Sequence, residues 1–298
     1  MDKQRLLERL QEWYFISRPF LYLCRLHRPA DIPLFLLPGL WASVLAAEGM
    51  PQTGPMLALL FAALLFRCAA WVFNDWMEFR LLKDAPESFV AHGIVSPQEA
   101  QFLFGGLLLT ALIFLLPMGL PLLYFAAAAP LLLVGFPLLK TRMLLSQPYL
   151  GLCYAWIVPM AWSAQGVLPG KGAWLLFTAV LLFATGFNTL HAIPRRDYEQ
   201  RAGIGSLAQL FGENSWKVIL AGQLGAVLAL WLAGRELQLG IFFSISLVVT
   251  LLLLPYQHWL HRSHPTAGPM RSYRNHIWTA IAVFCGIGFH YLCHCQGV

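Results

Sequence analysis

Charge is what this chain has least of. Asp, Glu, Lys and Arg make up 11% of its 298 residues, where a soluble domain carries roughly a quarter. That leaves too few polar side chains to cover a water-facing surface. A soluble two-domain protein is excluded, and with 58% hydrophobic residues and a mean hydropathy of +0.63 the chain reads as an integral membrane protein. Other absences narrow the class further. No apolar stretch alternates with period two, which removes a membrane β-barrel. The six cysteines show no repeated CxxC spacing, and Cys293-His294-Cys295 reads as a frayed terminus rather than a metal site. Residues 1–28 are charged and amphipathic without a compact apolar core, so they do not read as a cleavable signal. We treat them as an N-terminal segment preceding a single polytopic domain, 29–298.

What is present is a series of apolar stretches. Nine recur, at about 32–48, 55–76, 102–118, 121–139, 147–166, 173–193, 217–234, 238–256 and 277–293. Most are long enough to cross about 30 Å of hydrocarbon as helices, so the expected fold is all-α with nine transmembrane helices. Charge placement supports the count. With the amino terminus in the cytoplasm, seventeen Lys and Arg fall on that side. Only Lys171 and Arg235 fall opposite, and Arg67 lies within a span. This is the positive-inside bias, and nine crossings then put the carboxyl terminus outside. The net charge of +6 is thereby explained by orientation, with no nucleic-acid partner required. Oligomeric state is not readable.

Two long polar connections lie on the cytoplasmic side, about 77–101 and about 194–216, and each begins with carboxylates at the end of a helix. In the first, Asn74, Asp75 and Glu78 are spaced to share a helical face. In the second, Asn188, His191, Arg195 and Glu199 fall on one helical stripe that Pro194 would strain. Mg²⁺ prefers carboxylate oxygens and commonly bridges to substrate phosphates. Asp75, Glu78, Asp197 and Glu199 are therefore candidate metal ligands and catalytic residues. Arg67, Lys140, Arg142, Arg195 and Arg196 are candidates to neutralise a diphosphate directly. Ordinary positive-inside loops, with acids that only offset bases, are the alternative. Buried Arg67, Asn74 and Asn188 fit that alternative less well, because polar groups inside a span are costly.

These residues resemble those of the UbiA-type membrane prenyltransferases, particularly their 4-hydroxybenzoate polyprenyltransferase branch, over nearly the whole chain. Arg25-Leu26-His27-Arg28-Pro29 and Leu36-Leu37-Pro38-Gly39-Leu40-Trp41 look like that branch's first helix. Arg67-Cys68-Ala69-Ala70 leading to Asn74-Asp75 resembles the approach to its first aspartate-rich motif, NDxxDxxxD. Phe136-Pro137-Leu138-Leu139-Lys140 and Ile157-Val158-Pro159-Met160-Ala161 look like its central helices. Arg196-Asp197, Gly203-Ile204, Ser206 and Phe211-Gly212 follow its second motif. The resemblance implies a nine-helix bundle around a cavity capped by the two polar loops. It also implies Mg²⁺-assisted transfer of an isoprenyl group from a polyprenyl diphosphate to a small aromatic acceptor, in a bacterial inner membrane.

The departures are specific. Glu78 stands for the second aspartate of the first motif and Leu82 for the third, and Lys83-Asp84-Ala85-Pro86 replaces a basic-proline stretch. Asn188 and Arg195 occupy aspartate positions of the second motif, His191 a tyrosine position, and Asp31 a glycine position. Asn188 and His191 thus join Asn74 among the substrate-binding candidates. Two readings of these losses stand: a divergent prenyltransferase, or an inactive relative that binds a lipid or a partner protein. A transporter is disfavoured because no carboxylate lies deep within a span.

Overall fold

The computed structural model describes residues 17–28, 31–82, 85–142, 145–265 and 267–294. Lys83, Asp84, Cys295 and most of the amphipathic segment 1–28 therefore lie outside the described residues. Among those described, the only regular secondary structure is helix. The main helices are α1 (Asp31–Ala46), α2 (Thr53–Leu81), α3 (Pro97–Leu115), α4 (Leu120–Leu139), α5 (Ser146–Ala155) and α6 (Ile157–Ala164). They continue with α7 (Lys171–Ala192), α8 (Arg196–Arg201), α9 (Leu207–Phe211), α10 (Ser215–Glu236), α11 (Ile241–Arg262) and α12 (Ala267–His294).

Every expected apolar stretch overlaps a helix. Seven helices among the described residues are long and apolar enough to cross a membrane. The first stretch forms a helix of only 16 residues, α1. The fifth, 147–166, is not one continuous helix but two pieces that part at Trp156. The cause is visible in the sequence: Pro159 has no N–H to give to the Ala155 carbonyl, so the helical ladder is interrupted there. Trp156 holds the break in place by donating its indole N–H to the Phe125 carbonyl of α4 at 2.9 Å.

The helices bury small and aliphatic residues against one another and turn large apolar side chains outward. Ala62, Ala126, Ala155 and Ala161 are completely buried, while Phe102, Leu131, Leu228 and Leu252 are exposed. This inversion of a soluble surface is the one a lipid-facing bundle requires, since small interfacial residues let helices approach closely. At Gly151, on α5, a Cβ would sit 2.6 Å from the Leu181 carbonyl oxygen of α7, so only glycine permits that approach.

Two boundaries differ from expectation. α2 continues past its expected end near residue 76 to Leu81, so Glu78 and Arg80 are helical rather than part of the first polar loop. That loop ends at α3, whose start is fixed by a reciprocal cap: Ser96 Oγ accepts from the Glu99 amide and Glu99 Oε2 accepts from the Ser96 amide. The second polar loop begins as further helix, a 3₁₀ turn over Ile193–Arg195 and then α8. Pro194 sits in the first turn of the 3₁₀ segment, where its missing N–H costs little.

Candidate active site

α1, α2, α4, α5, α7 and α12 surround a cavity of about 170 Å³, room for on the order of ten waters. Its polar end combines three acids (Asp31, Glu78, Glu199) and three fixed cations (Arg67, Lys140, Arg195) with Asn74, Asn188 and His191. The remaining wall is mostly apolar or aromatic, including Phe35, Trp71, Leu133, Phe136, Tyr154 and Tyr273. Phe35, Leu133 and Cys153 also line a smaller apolar cavity of about 20 Å³ that runs on toward Trp156 and Met160.

The helical repeat explains who faces the cavity. On α2 the lining residues are Arg67, Ala70, Trp71, Asn74 and Glu78, a stripe at three- and four-residue spacing. On the second side the stripe expected at Asn188, His191, Arg195 and Glu199 forms as read, all four lining the cavity. The 3₁₀ turn keeps it continuous across Pro194.

Within the polar end most charges already have partners. Lys140, at the end of α4, donates from Nζ to Glu78 Oε1 at 2.8 Å and to Asn74 Oδ1 at 3.0 Å. Asn74 Nδ2 donates to the same Glu78 oxygen at 3.0 Å. Burial pulls the Lys140 ammonium below the usual lysine range, and the Glu78 carboxylate opposes that pull. Arg67 lies 3.9 Å from Asp31 and donates to the Cys24 carbonyl. Arg195 pairs at 3.6 Å with Glu87 from the first polar loop, and Glu87 also meets Arg25 at 3.4 Å. One exposed acid thus ties the N-terminal segment to both polar connections. Glu199 enters no ion pair among the described residues, and its buried Oε2 has no hydrogen-bond partner. Two buried guanidinium atoms of the cavity lining, Arg67 Nη2 and Arg195 Nε, also make no hydrogen bond, Arg67 Nη2 being the atom 3.9 Å from Asp31.

The remaining expected residues lie elsewhere. Asp75 does not line the cavity. Its carboxylate accepts from Ser88 Oγ at 2.8 Å and from the amides of Phe89 and Val90 at 3.1 Å each, so it anchors the turn after α2. Asp197 and Arg142 are exposed, and Arg196 donates to the Gly212 carbonyl. The four acids expected around a metal are therefore not gathered together. No group of three or more His, Cys, Asp or Glu that could hold a metal occurs among the described residues. A carboxylate-rich site for two ions does not fit these residues; a single ion beside Glu199, with its vacant oxygen, does.

Residues 35–285 match the model of the UbiA prenyltransferase family. The chain belongs to that family. It is 32% identical over 279 residues to a 4-hydroxybenzoate octaprenyltransferase of Hahella chejuensis, covering 92% of each chain. It is 35% identical to one of Nitrosococcus oceani, covering 91% of this chain and 96% of that one. The fold is that of a UbiA homologue from Aeropyrum pernix, with a TM-score of 0.74 over 86% of this chain and 97% of that one at 19% identity. It is also similar to a UbiA homologue from Archaeoglobus fulgidus bound to GPP and Mg²⁺, with a TM-score of 0.66 over 90% and 99% at 14% identity. This family member is thus an integral membrane protein, all-helical in its described residues, with the fold of solved UbiA homologues.

The sequence overlooked Phe35, Tyr154 and Tyr273 in the wall and Glu87 as the partner of Arg195. Asp31 had a signal, as the acid in a glycine position. The aromatics had none beyond their abundance.

Proposed function

We propose that the protein is an active prenyltransferase that moves an isoprenyl group from a polyprenyl diphosphate to an aromatic acceptor of the 4-hydroxybenzoate kind. The observation that carries this reading is the polarity of the cavity. Basic residues, two with a buried nitrogen that makes no hydrogen bond, occupy one end, and an aromatic and aliphatic wall leads away from it. A diphosphate headgroup suits the first and an isoprenyl tail the second. The names of the relatives from Hahella and Nitrosococcus support the choice of acceptor, and the GPP-bound homologue supports the choice of donor.

In this reading Lys140, Arg195 and Arg67 bind the diphosphate, with Asn74, Asn188 and His191 completing the polar lining. The bond between the first isoprenyl carbon and the diphosphate oxygen breaks, and its electron pair leaves with the diphosphate. The cations stabilise the charge that builds there. A ring carbon of the acceptor supplies the electrons for the new carbon–carbon bond, and the ring then loses a proton. Trp71, Phe136 and Tyr154 present aromatic faces that stabilise the allylic cation, and the apolar wall keeps water from capturing it. Glu199 is the acid that would hold a Mg²⁺ ion, which when bound adds charge neutralisation at the departing diphosphate. Asp75 takes part by fixing the turn after α2, and Asp197, Arg142 and Arg196 act at the periphery of the cavity.

The protein, again in this reading, crosses a bacterial inner membrane nine times. The short α1 and the broken α5–α6 pair are the two crossings beyond the seven long helices. The positive-inside bias puts the polar end at the cytoplasmic face, with the amino terminus inside and the carboxyl terminus outside.

The test is turnover by purified protein in lipid nanodiscs, supplied with a polyprenyl diphosphate, 4-hydroxybenzoate and Mg²⁺. Prenylated acceptor and inorganic diphosphate in equal amounts are expected, with a loss of at least roughly tenfold in Arg195→Ala, the scale of one charge-assisted contact. Binding of the prenyl diphosphate without any turnover across a range of phenolic acceptors would favour the inactive lipid-binding relative instead.

A further inference from the structure

The first-motif side of the cavity has an arrangement that a metal ion would have to dismantle. Glu78 Oε1 accepts from both Lys140 Nζ and Asn74 Nδ2. Lys140 and Glu78 are both buried, as is Arg67. The lysine is tied to the opposite polar connection as well, because its own carbonyl accepts from the Gly205 amide at 3.3 Å. A divalent cation seated on Glu78 would face an ammonium already bonded to that carboxylate, in a poorly solvated place where like charges repel strongly. An anion meets no such obstacle. Lys140 has three N–H donors, of which Glu78 and Asn74 account for two. Arg67 Nη2, 3.9 Å from Asp31, and Arg195 Nε bring two more donors that make no hydrogen bond. All of these residues line the same cavity.

We propose that the Lys140 ammonium, seated on Glu78 and Asn74, binds the substrate diphosphate directly and occupies the place of a metal ion on the first-motif side. Glu78 is then a positioning residue: it fixes the ammonium and holds no metal. This deepens the prenyltransferase reading and rests on it, because it needs a diphosphate in the cavity. The two sides of the site differ accordingly, a fixed ammonium at one and the vacant Glu199 oxygen at the other. The acid therefore weakens rather than aids anion binding, since part of the lysine's charge is spent on it. Removing the acid's charge while keeping its shape strengthens the hold on the diphosphate.

The experiment measures binding of geranyl S-thiolodiphosphate, whose sulfur bridge resists cleavage, to the full chain in nanodiscs, with Mg²⁺ and with excess EDTA. Saturable binding in EDTA is expected for the wild type. Glu78→Gln should bind at least about twofold tighter there. Lys140→Met/Glu78→Gln, which removes both charges and leaves no buried ion unpaired, should bind at least roughly tenfold more weakly than Glu78→Gln. Binding that requires Mg²⁺ and is lost in Glu78→Gln would make Glu78 a metal ligand and overturn the inference while leaving the prenyltransferase reading intact. Equal binding by Glu78→Gln and the double variant would also overturn it. Failure of the wild type to bind under either condition sinks both.

Discussion

Ser88 Oγ donates to Asp75 Oδ1 at 2.8 Å, and this bond directs the leading acid of the first motif away from the cavity. Asp75 lies one residue from Asn74, about 100° around the helix, and so shares the face of Cys68 and Val72. Those two residues pack in a separate buried cluster with Val90 and Val95 of the following turn. With the Phe89 and Val90 amides added, its carboxylate holds the first polar loop down over that cluster.

Asp75→Ala removes all three acceptors at once. We expect faster hydrogen exchange at Phe89 and Val90, and a destabilisation of about 2–4 kcal/mol from donors left without partners. Activity should fall with it. Hydrogen–deuterium exchange mass spectrometry reads the effect locally. Unchanged protection of residues 85–92 would show that the carboxylate does not anchor the turn.

How much of this the sequence carried depends on the range of the contact involved. The stripe Asn188, His191, Arg195 and Glu199 was legible because helical spacing survives the Pro194 turn. The pairing of Asn74 with Glu78 follows from spacing four. The face chosen by Asp75 was not legible, because Asp75 and Glu78 are only about 60° apart and the loop that captures one of them lies 13 to 15 positions on, beyond the reach of helical spacing. The break at Trp156 had its sign in Pro159. The Lys140–Glu78 pair, by contrast, joins α4 to α2 across 62 positions, and nothing local announces it.

The same limit hid a polar network in the other half of the bundle. Gln223 on α10 donates from Nε2 to Gln257 Oε1 on α11 at 3.1 Å and meets His276 Nε2 on α12 at 2.8 Å. His276 Nδ1 faces the Ser272 carbonyl at 2.8 Å, which only accepts, so Nδ1 carries the proton and Nε2 accepts from Gln223. Gln257 in turn donates to Thr279 Oγ1. Gln223→Leu should strand two buried acceptors and cost about 1–3 kcal/mol, read as a lower melting temperature in detergent. A variant that melts with the wild type would mean that the three helices are held by packing alone.

Close approach carries the next expectation. α5 touches α7 at Gly151, where a Cβ would lie 2.5 Å from Thr185 Oγ1 and 2.6 Å from the Leu181 carbonyl oxygen. The hydroxyl can turn aside, but the backbone cannot. Gly151→Ala should therefore separate the helices that carry Tyr154 and Asn188, costing about 1–3 kcal/mol as other overpacked sites do. Substrate binding should weaken along with the fall in melting temperature. Wild-type affinity and stability in this variant would show that the two helices have slack.

The apolar wall yields the last expectation. Cys153 lines both the main cavity and the small cavity continuing toward Trp156 and Met160, beside Phe35 and Leu133. It is the smallest side chain at that junction, and a longer isoprenyl tail that follows the apolar path has to pass it. Cys153→Trp fills the junction while leaving Lys140, Arg195 and Glu199 untouched. Short donors, whose tails end before the junction, should be used at close to the wild-type rate. Donors several isoprene units longer should lose at least roughly tenfold in kcat/KM, about 1.4 kcal/mol of binding lost in the transition state. Competition between a short and a long prenyl diphosphate in one reaction, with products separated by mass, reads this ratio directly. An equal loss for both lengths would place the tail along another wall of the cavity.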